Sequence, residues 1–415
     1  RNYILGYGTW STHGTPGGFA VQIFDTDSTL LENNWIGTLP DGMTPANPAT
    51  TLGVGIEDQN SNTIVRNNRI AGILAYSRPF IGTPQPSGTG IAISGACDGI
   101  EITGNTIGLN ANGDAVLGSV TGIDVGSFFS PGVQNVRIGG TGPGQGNVIA
   151  GNLWNGILVG REVQSTRISG NSMYGNLLTG VDLVTTLSAY GVTPNDLLDP
   201  DAGGNALQNF PSLQSASSNG SSVNVTGVLQ SESSAQYSVE FFASPSCGAS
   251  GYGEGRTFIG STSVTTNGAG TSSFNVTLSA TAPVGWVLTS TATRVSTGAT
   301  SEFSACRALT PGPTADAGTT PGVARLELAP ASPNPLRSST TLRYVLPARS
   351  VVTLSIHDVS GRLVRVILPG RQDAGAHEMQ WDGLDSRGRA VAAGIYMARV
   401  QAGGTAVTRN IAVMH

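Results

Sequence analysis

Lysine is absent from this 415-residue chain: its 21 basic residues are all arginine, set against 26 acidic residues and four histidines. That absence excludes Schiff-base chemistry, a lysine general base and Lys–Asn isopeptide cross-links. Charge of either sign is scarce at 11%, and the formal net charge is −5. No basic stripe is formed, so nucleic acid is excluded as a partner. No apolar run approaches the roughly 20 residues that a membrane span needs, and no apolar heptad pattern appears. The four histidines, His13, His357, His377 and His415, are scattered without metal-ligand spacing. Nothing resembles the glycine-flanked serine of a nucleophile elbow.

Glycine is what the chain has in excess, with 58 residues, alongside abundant Ser, Thr and Asn. Hydrophobic residues at 39% and regularly placed Ile and Val argue against disorder. The defining feature is a returning phrase, Gly-Ile-x-hydrophobic, followed by an Asn-x-Ile and a Gly/Asn-rich loop. It starts at Gly55, Gly90, Gly122, Gly156 and Gly180, at intervals of about 24 to 35 residues. Self-similarity of this length marks stacked repeats, each burying its apolar face only against its neighbours. Short period-two stretches such as Ile100-Glu101-Ile102-Thr103 predict strands.

These features predict an all-β chain: a right-handed parallel β-helix followed by two Ig-like β-sandwiches. Three short strands per coil would stack on their equivalents at about 4.8 Å. Ile56, Ile91, Ile123, Ile157 and Val181 are expected to form one inward column, and Val65, Ile102 and Ile168 part of another. Asn68, Asn105, Asn147 and Asn171 recur at one corner, as a stacked ladder of residues that tolerate left-handed backbone. The boundaries read as residues 1–204 for the helix, 205–309 for the first sandwich, 310–322 for a Pro/Gly/Thr/Ala-rich linker and 323–415 for the second sandwich. Because the chain opens on Arg1 and Trp35-Ile36-Gly37 already reads as repeat, a processed or trimmed start with upstream coils missing is expected.

Candidate chemistry is sparse. In the Gly-Ile-x phrase, x is Glu57, Ala92, Asp124, Leu158 and Asp182, which would face outward as a solvated strip. Two coil rises put Asp124 and Asp182 about 10 Å apart, near the carboxylate spacing of inverting glycosidases. Glu57, Asp124 and Asp182 are therefore the catalytic candidates. Asp196, Asp199 and Asp201, with Asn195 and Asn205 nearby, crowd hard oxygen ligands into a Gly-rich loop suited to calcium. Plain Asx turns are the alternative there. No other cofactor is expected. Cys97 reads as a small buried hydrophobe, whereas Cys247 and Cys306 flank one β-rich segment as a candidate disulfide in an oxidising compartment.

Three resemblances follow from these residues. Gly104-Asn105-Thr106-Ile107-Gly108-Leu109, Ile138-Gly139-Gly140 and Gly146 to Asn152, closed by Asn195 to Pro211, resemble secreted bacterial parallel β-helix repeat proteins. Glu240-Phe241-Phe242-Ala243, Cys247, Gly251 to Gly255 and Ser301 to Cys306 resemble the Ig-like module that commonly follows, and both of its cysteines are present. Ser332-Pro333-Asn334-Pro335, Ile356 to Val364, Trp381 to Gly388 and Gly394-Ile395-Tyr396 resemble the FlgD-like Ig fold shared with type IX secretion sorting domains. The last resemblance implies export and display at a bacterial cell surface, with the export machinery as a partner. Three functions stay open: a structural or adhesive scaffold able to polymerise with itself, a polysaccharide-active enzyme on the outer helix face, and a non-catalytic carbohydrate-binding protein.

Overall fold

The structure is a computed structural model, and it describes residues 2–4, 9–10, 16–46, 50–76, 86–114, 117–126, 132–185, 190–312, 326–347, 349–373 and 375–414. Most of the expected linker, residues 313–322, lies outside the described residues. The chain divides into two compact units, residues 1–314 and 315–415. Both are almost entirely β-structure, and no helix among the described residues is long and apolar enough to cross a membrane.

The repeats wind into a parallel β-solenoid with three faces. The first face stacks Phe19–Phe24, Leu52–Glu57, Thr89–Ser94, Thr121–Val125, Ile157–Val159 and Val181–Leu183 in that order. The second stacks five strands from Leu30–Glu32 to Thr166–Ser169, and the third stacks six from Asn2–Ile4 to Ser172–Tyr174. Their inward residues form one continuous core, in which Ile91, Ile102, Ile107, Ile123, Ile138 and Ile157 are fully buried.

The first-face register corrects one expected column. Ile91 pairs with Val54, not Ile56, while Ile56 pairs with Ile93. The true columns are Val21, Val54, Ile91, Ile123, Ile157 and Val181, and beside it Ile23, Ile56, Ile93, Val125, Val159 and Leu183. The glycine that matters is therefore Gly53, followed by Gly90, Gly122 and Gly156. A Cβ on any of these four would stand 2.5 to 2.7 Å from the carbonyl oxygen of the next coil's equivalent glycine. No side chain fits, so the repeat phrase is a packing requirement as much as a strand signal.

The asparagine ladder is present and longer than expected. Starting from Asn34, each of Asn68, Asn105, Asn147 and Asn171 offers Oδ1 to both the backbone N–H and the side-chain amide of the preceding rung. The left-handed backbone falls one residue earlier than expected, on Asn33, Asn67, Gly104 and Gly170. That kink turns the corner and frees the buried asparagine to bond.

The first sandwich pairs Thr271–Leu278, Val223–Gln230, Ser212–Ser218 and Thr310–Pro311 in one sheet. The other sheet holds Thr257–Thr265, Gln236–Ser244, Val287–Arg294 and Arg307–Ala308. Thr310 and Pro311, placed by composition in the linker, are thus part of the sandwich. The disulfide between Cys247 and Cys306 is formed, and Cys97 is buried and free. The second unit is a sandwich of three and four strands around Trp381, Tyr344, Leu354, Ile356, Val400 and Ile411.

Asn105 is 1% exposed and bonds to Asn68, Val65, Thr103 and Asn147. Asn105→Ala strands those groups, and urea unfolding should show a loss of about 2–4 kcal/mol. The same change at exposed Asn112 should stay within about 0.5 kcal/mol.

Candidate functional site

Among the described residues, the end of the solenoid brings together the largest group of buried carboxyls, with Asp124, Asp182, Asp199, Glu240 and Glu302 in or near it. A parallel coil leaves its last strands with unpaired backbone N–H groups, each costly if buried. Here the first sandwich supplies the acceptors. On the second face, Ile168 N donates to Thr300 Oγ1 (2.9 Å) and Gly170 N to Glu240 Oε2 (2.9 Å). On the third, Met173 N donates to the Gly255 carbonyl (2.8 Å) and Asn176 N to Glu254 Oε1 (3.0 Å). On the first, Leu183 N donates to Glu302 Oε1 (3.1 Å).

Glu254 copies a ladder rung. A shorter asparagine ladder runs from Asn152 to Asn176, whose Oδ1 accepts both the backbone and side-chain N–H of Asn152. Glu254 Oε1 accepts the same pair from Asn176. Asn205 plays the matching part at Thr166, accepting its N–H and donating to its carbonyl, from a left-handed run at Asn205, Ala206 and Leu207. Phe242, Phe303 and Leu207 join the solenoid core, and Phe303 occupies the space that a Cβ on Gly180 would need. The solenoid end that the sequence places near Asn195 to Pro211 is therefore closed, with the first sandwich sharing in the closure.

The outward strip also differs from expectation. Its members are Gln22, Gly55, Ala92, Asp124, Leu158 and Asp182, so Glu57 is off it. Glu57 sits two residues on, paired with Ser94 in register and accepting from Gln22 Nε2 at 2.8 Å. Asp124 and Asp182 are buried, at 4% and 0% exposed, rather than solvated. Asp182 Oδ2 accepts from Gly191 N and Asn155 Nδ2, both at 3.0 Å, while Oδ1 is buried without a partner. Burial pushes this carboxyl up to about 6, with the two N–H donors pulling the other way. Beside it Glu302 rises to about 8, chiefly through burial and further through the Asp182 charge. Tyr190, whose ring lies 5.4 Å from that of Trp154, stands within electrostatic reach of Asp124 and Asp182.

The calcium candidates do converge. One carboxylate oxygen each from Asp196, Asp199 and Asp201 lie within 4.8 Å of one another. Asp199 is 8% exposed and accepts from Gln208, Ser231 and the Asn209 N–H. Burial raises it to about 6, opposed by the Ser231 and Asn209 donors and reinforced by the Asp201 and Asp196 charges. One oxygen of Asp196 and one of Asp201 are buried without partners. Asn195 and Asn205 are engaged elsewhere, on Phe210 and Thr166. Three converging carboxylates suit a hard divalent cation, with carbonyls and water completing its shell.

Residues 337–405 match the FlgD Ig-like domain family. That segment falls within the second unit, whose seven-strand sandwich is described above. No curated protein matches the chain. Among solved structures, dimeric latent PorU from Porphyromonas gingivalis is 15% identical, with a TM-score of 0.19, covering 49% of this chain and 20% of that one. PorZ, titled an essential bacterial surface component of the type-IX secretion system of the same organism, is 18% identical, with a TM-score of 0.17. It covers 32% of this chain and 15% of that one. Red sea bream transglutaminase is 11% identical at a TM-score of 0.16, covering 50% and 32%. The chain spans a third or less of each of these proteins. The overlaps are partial, and the fold stands on this chain's own strand pairing.

Sequence reading missed Glu240, Glu254 and Glu302. No local signal marked them: Glu240 alternates outward between the core residues Val239 and Phe241, where a carboxylate is ordinary, and Glu254 and Glu302 lie outside the strands. For Asp182, the folded carboxyl is raised above its unfolded value, so its contribution is full below about pH 4 and lost as pH rises through about 6. Asp182→Asn should match the parent near pH 3, where the carboxyl is protonated in both states, and exceed it at pH 8 by about 1–3 kcal/mol in urea unfolding. Equal stability at both pH values would refute the buried assignment.

Proposed function

We propose that this protein is an extracellular scaffold, displayed at a bacterial surface, with the solenoid as a rigid rod. The second sandwich serves export, anchoring or assembly. The observation that carries this reading is the sealed solenoid end, where backbone amides of all three faces are held by the first sandwich. Such a joint resists bending and fraying, as a rod under load requires. The disulfide suits an oxidising compartment, and the FlgD Ig-like match over residues 337–405 supports an export or assembly role for the second unit. A hydrolase on the outer strip is less favoured, because Asp124 and Asp182 are buried where substrate and water would have to reach them.

Two measurements test the scaffold reading. Protease shaving of intact cells from the native source should release solenoid peptides. Screens for reducing sugars and unsaturated products on neutral and acidic polysaccharides should show no turnover. Turnover abolished by Asp124→Asn would replace the scaffold with an enzyme.

A second reading concerns the cation site. Calcium at Asp196, Asp199 and Asp201 would pin the closing segment to the first sandwich through Asp199 and Ser231. Calcium needs ionised carboxylates, so it should raise the melting temperature more at pH 7.5 than at pH 5. At a hundredfold excess over Kd the gain is about 2.7 kcal/mol. Asp201→Asn should remove the response, and identical melting in calcium and in chelator would exclude the site.

A further inference from the structure

Among the described residues, the polar contacts of the first sandwich with the solenoid include three glutamate carboxyl groups and no ion pair. Glu240, Glu254 and Glu302 come from three separate places in the sandwich, and each ends on an amide of a different solenoid face. Glu240 is 4% exposed, Glu302 1%, and the solenoid's own Asp182 is fully buried. The donors that reach these four groups are amides and one hydroxyl, that of Ser169. Glu302 also holds Thr193 N at 2.7 Å, and Asp182 holds Gly191 N, so both tie the segment that follows the last strand.

The surrounding titratable groups are mostly acidic. Asp182 faces Glu302, and Tyr190 faces Asp182 and Asp124. Arg167 faces Glu240, and Arg256, near Glu254, lies over the Tyr174 ring at 4.5 Å. Beneath the carboxyls the floor is apolar, built from Phe242, Phe303 and Leu207. Ionising several such groups in one dry interface costs desolvation and mutual repulsion that amide donors only partly offset.

We propose that this joint is pH-responsive, tight while its carboxyl groups are protonated and loosened as they ionise. Burial raises Glu240, Glu254 and Glu302 alike, Glu302 to about 8 and Asp182 to about 6. Folded values above the unfolded ones mean that the closed joint is favoured in acid. Its advantage declines as pH rises through about 6 to 8. Loosening uncovers strand-edge amides of the last coil, an edge that another chain can pair with.

Hydrogen exchange on the full chain, corrected for intrinsic rate, reads the joint directly. Between about pH 6 and 9, protection at Ile168, Gly170, Met173, Asn176 and Leu183 should fall at least about tenfold, against little change at Ile91 and Ile123. Glu302→Gln should flatten that pH dependence. A uniform fall across the whole unit, or an unchanged profile in Glu302→Gln, overturns the proposal. Should that variant fail to fold, carboxyl-carbon NMR of the parent decides. Glu302 titrating above about pH 6 supports the joint, and titration at or below that value overturns it.

Discussion

A parallel solenoid solves its hydrogen bonding by repetition, and repetition must stop somewhere. Each coil's amides are satisfied by the coil beside it, so the last coil inherits a row of donors with no successor. Everything distinctive about residues 1–314 depends on how that row is closed. The sandwich offers side-chain carboxylates, a threonine hydroxyl and a glycine carbonyl at the positions a further coil would occupy. It also offers phenylalanine where the apolar column would continue.

Carboxylates make effective end caps because one group accepts two bonds in the geometry of an asparagine rung. Glu254 bonds Asn176 as Asn176 bonds Asn152. The cost is desolvation. An asparagine rung is neutral and indifferent to pH, whereas a glutamate in its place carries a charge that burial opposes. The cap therefore satisfies hydrogen bonds at the expense of a titratable interface, and the same feature that seals the rod makes the seal respond to acid and base.

The closed end also shapes the functional reading. Asp124 and Asp182 are both buried, with Tyr190 of the closing segment near both and Glu302 of the sandwich near Asp182, which weakens the strip as a catalytic surface and favours the solenoid as a mechanical element. The acidic loop of Asp196, Asp199 and Asp201 lies in the segment that crosses from solenoid to sandwich, bonded to Ser231 on the sandwich side. A cation there and the glutamates at the strand ends would act on the same junction by different chemistry.

The sequence by itself determined the architecture. Recurring Gly-Ile phrases, buried asparagines and period-two strands each report a local rule that repeats in every coil. The paired Cys247 and Cys306 were likewise readable, and so was the convergence of the three aspartates, because closeness in sequence there is closeness in space. The register of Gly55-Ile56 was not. Two residues separate it from the true equivalent, Gly53-Val54, and only contact with Gly90 distinguishes them. The fate of Asp124 and Asp182 was also decided by tertiary structure, since strand alternation says outward but not what covers the outside. The glutamate cap was the least readable of all. Its members lie between 70 and 119 residues from the amides they hold, and the demand they meet exists only where stacking ends.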